Sequence, residues 1–150
     1  MSSDPSPAGG EEEIRRLVGA YQQYQAQAEA IAQQVSLTQM TLHGLDSAIQ
    51  AVEALDSAPD GQEMLVPIGS GSFVYAKLAS KERVVLNVGA GVSIEKPAAE
   101  AKESLKARKV EVADAGKKMG EMLGKIDQEM AKIQSVLAKY DMSMGSEKVV

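Results

Sequence analysis

The chain has 150 residues, 44% hydrophobic and 25% charged, with one Phe, four Tyr and no Trp. That balance excludes a disordered or membrane-embedded chain and favours an elongated helical protein over a compact, aromatic-filled globule. Sixteen basic against twenty-one acidic residues leave a net charge of -5, which disfavours a protein that tracks nucleic-acid phosphates. The lack of cysteine excludes disulfide scaffolds, thiol catalysis and Cys-based metal sites, and the single His43 offers little to a transition metal.

Residues 1–10 are polar and rich in Pro and Gly, and read as a disordered leader. They carry neither the basic nor the apolar region of an export signal, so the expected location is the cytoplasm. No apolar run approaches the roughly 20 residues that cross a bilayer. From Glu11-Glu12-Glu13, acidic residues suited to a helix start, residues 11–56 read as one long helix. Its apolar positions alternate by three and four: Ile14, Leu17, Tyr21, Tyr24, Ala28, Ile31, Val35, Thr38, Leu42, Leu45, Ile49 and Val52, with only Thr38 clearly polar. Six heptads in register are a coiled-coil signature. The intervening Gln residues form a solvated face, and Pro59-Asp60-Gly61 ends the pattern.

Residues 57–97 hold four short β-branched runs, Met64 to Ile68, Phe73 to Leu78, Arg83 to Val88 and Val92 to Glu95. Gly69-Ser70-Gly71-Ser72 and Gly89-Ala90-Gly91 lie within successive pairs, the mark of two β-hairpins. Alternation puts Met64, Val66 and Ile68 on one face, and Val84, Leu86 and Val88 on one face of the third strand. The glycines suit positive φ in tight turns and complete neither a GxGxxG nor a P-loop, so no cofactor is expected. Two-stranded units this apolar are marginal alone, and their open edges predict obligate assembly through Val66, Ile68, Phe73, Val74, Val85, Leu86, Val88, Val92 and Ile94.

A second helix is predicted over residues 98–141, after Pro97, with Leu105, Val112, Met119, Ile126, Ile133 and Tyr140 seven apart. The companion position reads Arg108, Ala115 and Met122, then Leu123, Met130 and Leu137, so the stripe is expected to shift by one residue near Met122-Leu123. Gly116, Gly120 and Gly124 recur at that point, each costing about 1 kcal/mol of helix propensity relative to Ala. Residues 142–150 read as a flexible tail.

The fold class is therefore α+β, mainly α: a long antiparallel coiled-coil helical hairpin with two β-hairpins inserted between helices each about 65 to 70 Å long at 1.5 Å per residue. Ile14, Leu17, Val18 and Tyr21 then face Leu137, Tyr140, Met142 and Met144 at the free end. Heptad logic gives most of them to the internal seam. A seam that frays at its end also makes apolar side chains available, and unbranched Met adapts to varied partners. His43 and Asp46 share a helix face without a nucleophile motif, and no enzyme activity, catalytic residue or metal site is expected.

Met64-Leu-Val-Pro-Ile-Gly-Ser-Gly-Ser-Phe-Val-Tyr-Ala-Lys-Leu78 and Val84-Val-Leu-Asn-Val-Gly-Ala-Gly-Val-Ser-Ile-Glu-Lys-Pro97 resemble the paired hairpin motifs of the α subunits of archaeal prefoldin, also called GimC. Lys118-Met-Gly-Glu-Met-Leu123 is similar to the start of that family's distal C-terminal helix, and the resemblance spans residues 11–141. It implies an ATP-independent co-chaperone: two α with four β subunits, a double β-barrel platform built from the hairpins, and coiled-coil tips that hold unfolded proteins for a group II chaperonin. The competing expectation is a coiled-coil structural or adaptor protein that recruits specific partners.

Overall fold

The computed structural model describes the backbone of residues 7–147 and the side chains of residues 10–141. Helix α1 spans Pro7–Ser57. Strands β1 (Glu63–Gly69), β2 (Ser72–Lys77), β3 (Arg83–Gly89) and β4 (Val92–Pro97) follow, and helix α2 spans Ala98–Glu147. Helix thus takes in residues read from sequence as leader and tail; Pro7 supplies the φ a first helical turn needs, and Met142 to Glu147 hold no Pro to stop α2. Two compact units result, one built from Gln39–Asp114 and the other from the flanking segments up to Thr38 and from Ala115.

In the first of these units, Leu45, Ile49, Val52 and Leu105 form a buried cluster, and Val84 and Leu86 of β3 pack against it with Ala48, Ala98 and Val112. The spacing of Leu45, Ile49 and Val52 puts all three on one helix face. Each fully buried aliphatic side chain stabilises by about 1.5 to 3 kcal/mol. The face of β3 that carries Val84 and Leu86 is therefore the inner one.

Both hairpins are antiparallel, and the second repeats the first twenty residues on: Glu63 pairs with Lys77 and Val66 with Val74, as Arg83 pairs with Pro97 and Leu86 with Ile94. Even the closing bonds correspond, Leu78 N–H donating to Gln62 O at 2.9 Å and Ala98 N–H to Glu82 O at 2.8 Å. Positive φ extends beyond the glycines to Ser70 (51°) and Ala90 (52°), followed by Gly71 (73°) and Gly91 (74°). Two consecutive left-handed residues make the tight turn that matches strand twist. The register slips between Pro67 and Gly69 and again between Asn87 and Gly89. Such bulges break simple alternation, and Val88 is exposed although Val84 and Leu86 are half-buried.

All twelve seam positions read from α1 are buried or half-buried. In α2 the expected shift does not occur. Arg108, Ala115 and Met122 are exposed, and the companion position keeps one register through Lys102, Lys109, Gly116, Leu123, Met130 and Leu137. The three non-apolar members are matched across the seam. Lys102 pairs with Glu53 at 3.4 Å, and Lys109 pairs with Asp46. Gly116 makes room for Thr38, whose Oγ1 donates to Gln34 O at 2.9 Å, while its Cγ2 lies 2.9 Å from where a Cβ on residue 116 would sit. Half-exposed ion pairs contribute about 0.2 to 1 kcal/mol each, so their larger effect is on register. A slip of one heptad keeps at most one of the two pairs and moves Gly116 away from Thr38.

Gly116, Gly120 and Gly124 should therefore respond differently to alanine. Nothing lies within 4 Å of a Cβ at residues 120 and 124, so Ala there should raise stability by up to about 1 kcal/mol each. Gly116→Ala should instead lower it by about 1 to 2 kcal/mol through overpacking, and adding Thr38→Ser, which removes the methyl and keeps the hydroxyl, should restore it. Thermal unfolding of the four variants checks the signs.

Candidate functional site

Apolar side chains gather at the hairpins of one unit and where the helix ends meet in the other, while Leu37, Met40, Val110 and Met122 are exposed elsewhere along the helices. In the hairpin-bearing unit, β1 and β2 expose Met64, Leu65, Val66 and Ile68, and Phe73, Val74 and Tyr75, so side chains of both strand faces meet solvent. Only Ala76 of this hairpin is half-buried. The second hairpin differs: Val84 and Leu86 are taken up by the helical core, while Val85 (68% exposed), Val88, Val92 and Ile94 stay outside. Of the assembly residues read from sequence, all but Leu86 are thus exposed within the chain. Met64, Leu65 and Tyr75 are exposed as well and were not among those residues; both faces of this hairpin are apolar and open.

The hairpins are held to the helices by polar contacts at their edges. Lys81 Nζ donates to Ala58 O at 3.3 Å near the end of α1, Lys96 Nζ to Ser104 Oγ at 3.1 Å, and Arg108 Nη1 to Asn87 O at 3.4 Å. The last two fix the second hairpin on α2 without covering its outer face, and the first ties the link between the hairpins to the residue that follows α1.

In the other unit, the start of α1 meets the end of α2. Ile14, Leu17, Tyr21, Leu137 and Tyr140 are half-buried and Val18 is exposed. Met142 and Met144 lie outside the residues whose side chains are described. Two tyrosine hydroxyls tie the helices together, Gln134 Nε2 donating to Tyr21 Oη at 2.8 Å and Tyr140 Oη donating to Glu13 Oε2 at 2.7 Å. This end is clasped by polar bonds, which heptad reading could not anticipate because Glu13 and Gln134 fall beside the seam. Next to the clasp is an open concavity of about 480 Å³ lined by Ile14, Gln134, Leu137, Ala138, Tyr140 and Asp141. Gln134, Ala138 and Asp141 were also missed; their spacing of four and three along α2 is the signal that places them on one face.

Asp46, grouped with His43 in the sequence, pairs with Lys109 instead. Among the described residues no group of three or more His, Asp or Glu side chains is arranged to hold a metal ion, and no helix is long and apolar enough to cross a membrane.

The prefoldin subunit family model matches residues 24–140. A protein described as prefoldin subunit alpha from Methanothrix thermoacetophila is 58% identical over 113 residues, covering 75% of this chain and 74% of that protein. Another of the same description, from Methanosarcina mazei, is 38% identical over 131 residues, covering 85% and 92%. Among solved structures, a filamentous PFD from Methanocaldococcus jannaschii matches with a TM-score of 0.67 and 23% identity, covering 81% of this chain and 98% of that one, a likeness of fold.

Tyr140 provides a spectroscopic handle on the clasp. Its pKa is raised above the ordinary 10.0 chiefly because its hydroxyl donates to Glu13, with desolvation and the charge of the same carboxylate adding to the rise and Arg16 opposing it. A folded value above the unfolded one means the bond contributes below about pH 10 and is lost as pH rises through the raised value. Glu13→Ala should bring the titration of Tyr140 back toward the ordinary value, followed by NMR of the ring carbon that bears the hydroxyl.

Proposed function

Because the chain belongs to the prefoldin family, we propose that it works as the α-type subunit of an ATP-independent co-chaperone, assembling through its hairpins and holding unfolded proteins at the clasped end of its helices. The observation that carries this reading is the pair of separate apolar surfaces, one per unit. The hairpin surface suits permanent burial: large aliphatic and aromatic side chains stand open on β1 and β2, beside backbone edges with unpaired donors and acceptors. β-type subunits, four to every two copies of this chain, are the partners that would complete those sheets into a barrel platform.

The clasped end suits transient contact. Its described apolar side chains are half-buried or, at Val18, exposed, so a client gains part of their burial energy and dissociates readily, and several such ends acting together supply avidity. Ile14, Leu17, Val18, Tyr21, Leu137, Tyr140, Met142 and Met144 are the proposed contact residues. Release to a group II chaperonin in the cytoplasm completes the cycle, and the net acidic charge helps keep the loaded complex soluble. Family membership favours this role over that of a partner-specific adaptor.

Assembly and capture should be separable. Val85 touches solvent and Leu86 the core, so Val85→Asp should block assembly with a β-type partner while leaving the helix content of the chain intact, whereas Leu86→Asp should disturb both. Native mass spectrometry with circular dichroism reads the difference, and the unaltered chain should give two copies with four of the partner. Removing residues 1–21 and 137–150 should leave that assembly in place and partly reduce suppression of turbidity from a chemically unfolded protein without nucleotide. Full suppression of every client by the truncated complex would move capture elsewhere.

A further inference from the structure

The concavity beside the clasp has chemistry that a merely sticky end does not require. Its apolar surface comes from Ile14, Leu137, Ala138 and the ring of Tyr140, and its volume of about 480 Å³ is ample for one large side chain. The position of Tyr140 is not left to packing alone, because its hydroxyl is bonded to Glu13 on the opposite helix at 2.7 Å. That bond holds one wall of the concavity in place before anything binds, which lowers the ordering cost of binding. The one charged residue among those that line it is Asp141. Asp141 is exposed and, among the described residues, forms no ion pair, while Glu13 behind Tyr140 has Arg16 at 3.9 Å. An apolar floor with an exposed carboxylate at its rim is complementary to an apolar side chain that has a cation beside it.

Resting on the capture role above, we propose that this concavity is a preformed receptor for a large aliphatic or aromatic side chain of an unfolded segment, and that Asp141 selects segments in which a lysine or arginine adjoins that side chain. Tyr140 acts as a positioning residue through Glu13. The selection is modest, as befits an exposed ion pair: roughly two- to fivefold in affinity at low salt, fading at high salt as screening removes it.

The test uses the full chain assembled with a β-type partner and three fluorescent, unstructured peptides that differ only at a central Leu-Lys, Leu-Glu or Ser-Lys pair, with binding followed by anisotropy. The Leu-Lys peptide should bind most tightly. Asp141→Asn should weaken Leu-Lys and strengthen Leu-Glu, by removing attraction and repulsion respectively, until the two converge. Ala138→Gln, an exposed substitution that fills the concavity without adding charge, should weaken both leucine peptides together. Tyr140→Phe, which keeps the ring and loses its bond, should weaken both while preserving the preference for lysine. A preference for Leu-Lys that survives Asp141→Asn would overturn the selection, and leucine binding unaffected by Ala138→Gln would overturn the receptor. If the truncated complex lacking residues 1–21 and 137–150 binds all three peptides as well as the intact one, the capture reading itself fails, a result distinct from either of those.

Discussion

The structure depends on one stripe of side chains per helix being withdrawn from water against the other helix. With few aromatic rings, the chain has little else from which to build an interior. Among the described residues its deepest side chains are Leu45, Ile49, Val52, Ala101, Leu105, Ile126 and Ile133, all on the helices. Because a stripe of this kind looks much the same after a slip of one heptad, apolar burial leaves register poorly determined. Glu53 with Lys102, Asp46 with Lys109, and Thr38 with Gly116 supply the missing information. Their energetic contribution is small, and their value is that they fit in one alignment.

The same stripe decides how the two hairpins differ. They are alike in pairing, turn and bulge, yet only β3 sends Val84 and Leu86 into the helical cluster. The second hairpin is thus half satisfied by its own chain, and the first is open on both faces. A chain that leaves Leu65, Phe73 and Tyr75 in water has its final fold in an assembly, since each such side chain offers about 1.5 to 3 kcal/mol once covered. The asymmetry lets the second hairpin anchor on the helices through one face, while its outer face and both faces of the first hairpin stay open.

Where the start of α1 meets the end of α2, apolar side chains are half-buried instead of sealed. Tyrosine suits that boundary because its ring packs in the stripe while its hydroxyl reaches a polar neighbour outside it. Tyr21 and Tyr140 both do so, through Gln134 and Glu13, and the helices are held together without their apolar side chains being sealed away. A rigid but half-open surface favours weak, reversible contact over either permanent closure or aggregation.

Much of this was legible from residue order. The seam of α1, the four strands and the glycine turns follow from spacing and turn chemistry that a dozen neighbouring residues express, and the structure places them within a residue or two of where that chemistry puts them. The tip contacts and the face of β3 turned inward were not legible in the same way. Lys102, Lys109 and Gly116 read as breaks in the stripe of α2, and a shift of register looked necessary, because a lysine or glycine at a seam position makes sense only beside the residue opposite it. The bulges at Ile68 and Val88, the docking of Val84 and Leu86, and the Tyr140–Glu13 bond share that property. Periodicity is a local quantity and survives in the sequence; complementarity between residues as far apart as Glu13 and Tyr140 exists only once the chain has folded back on itself.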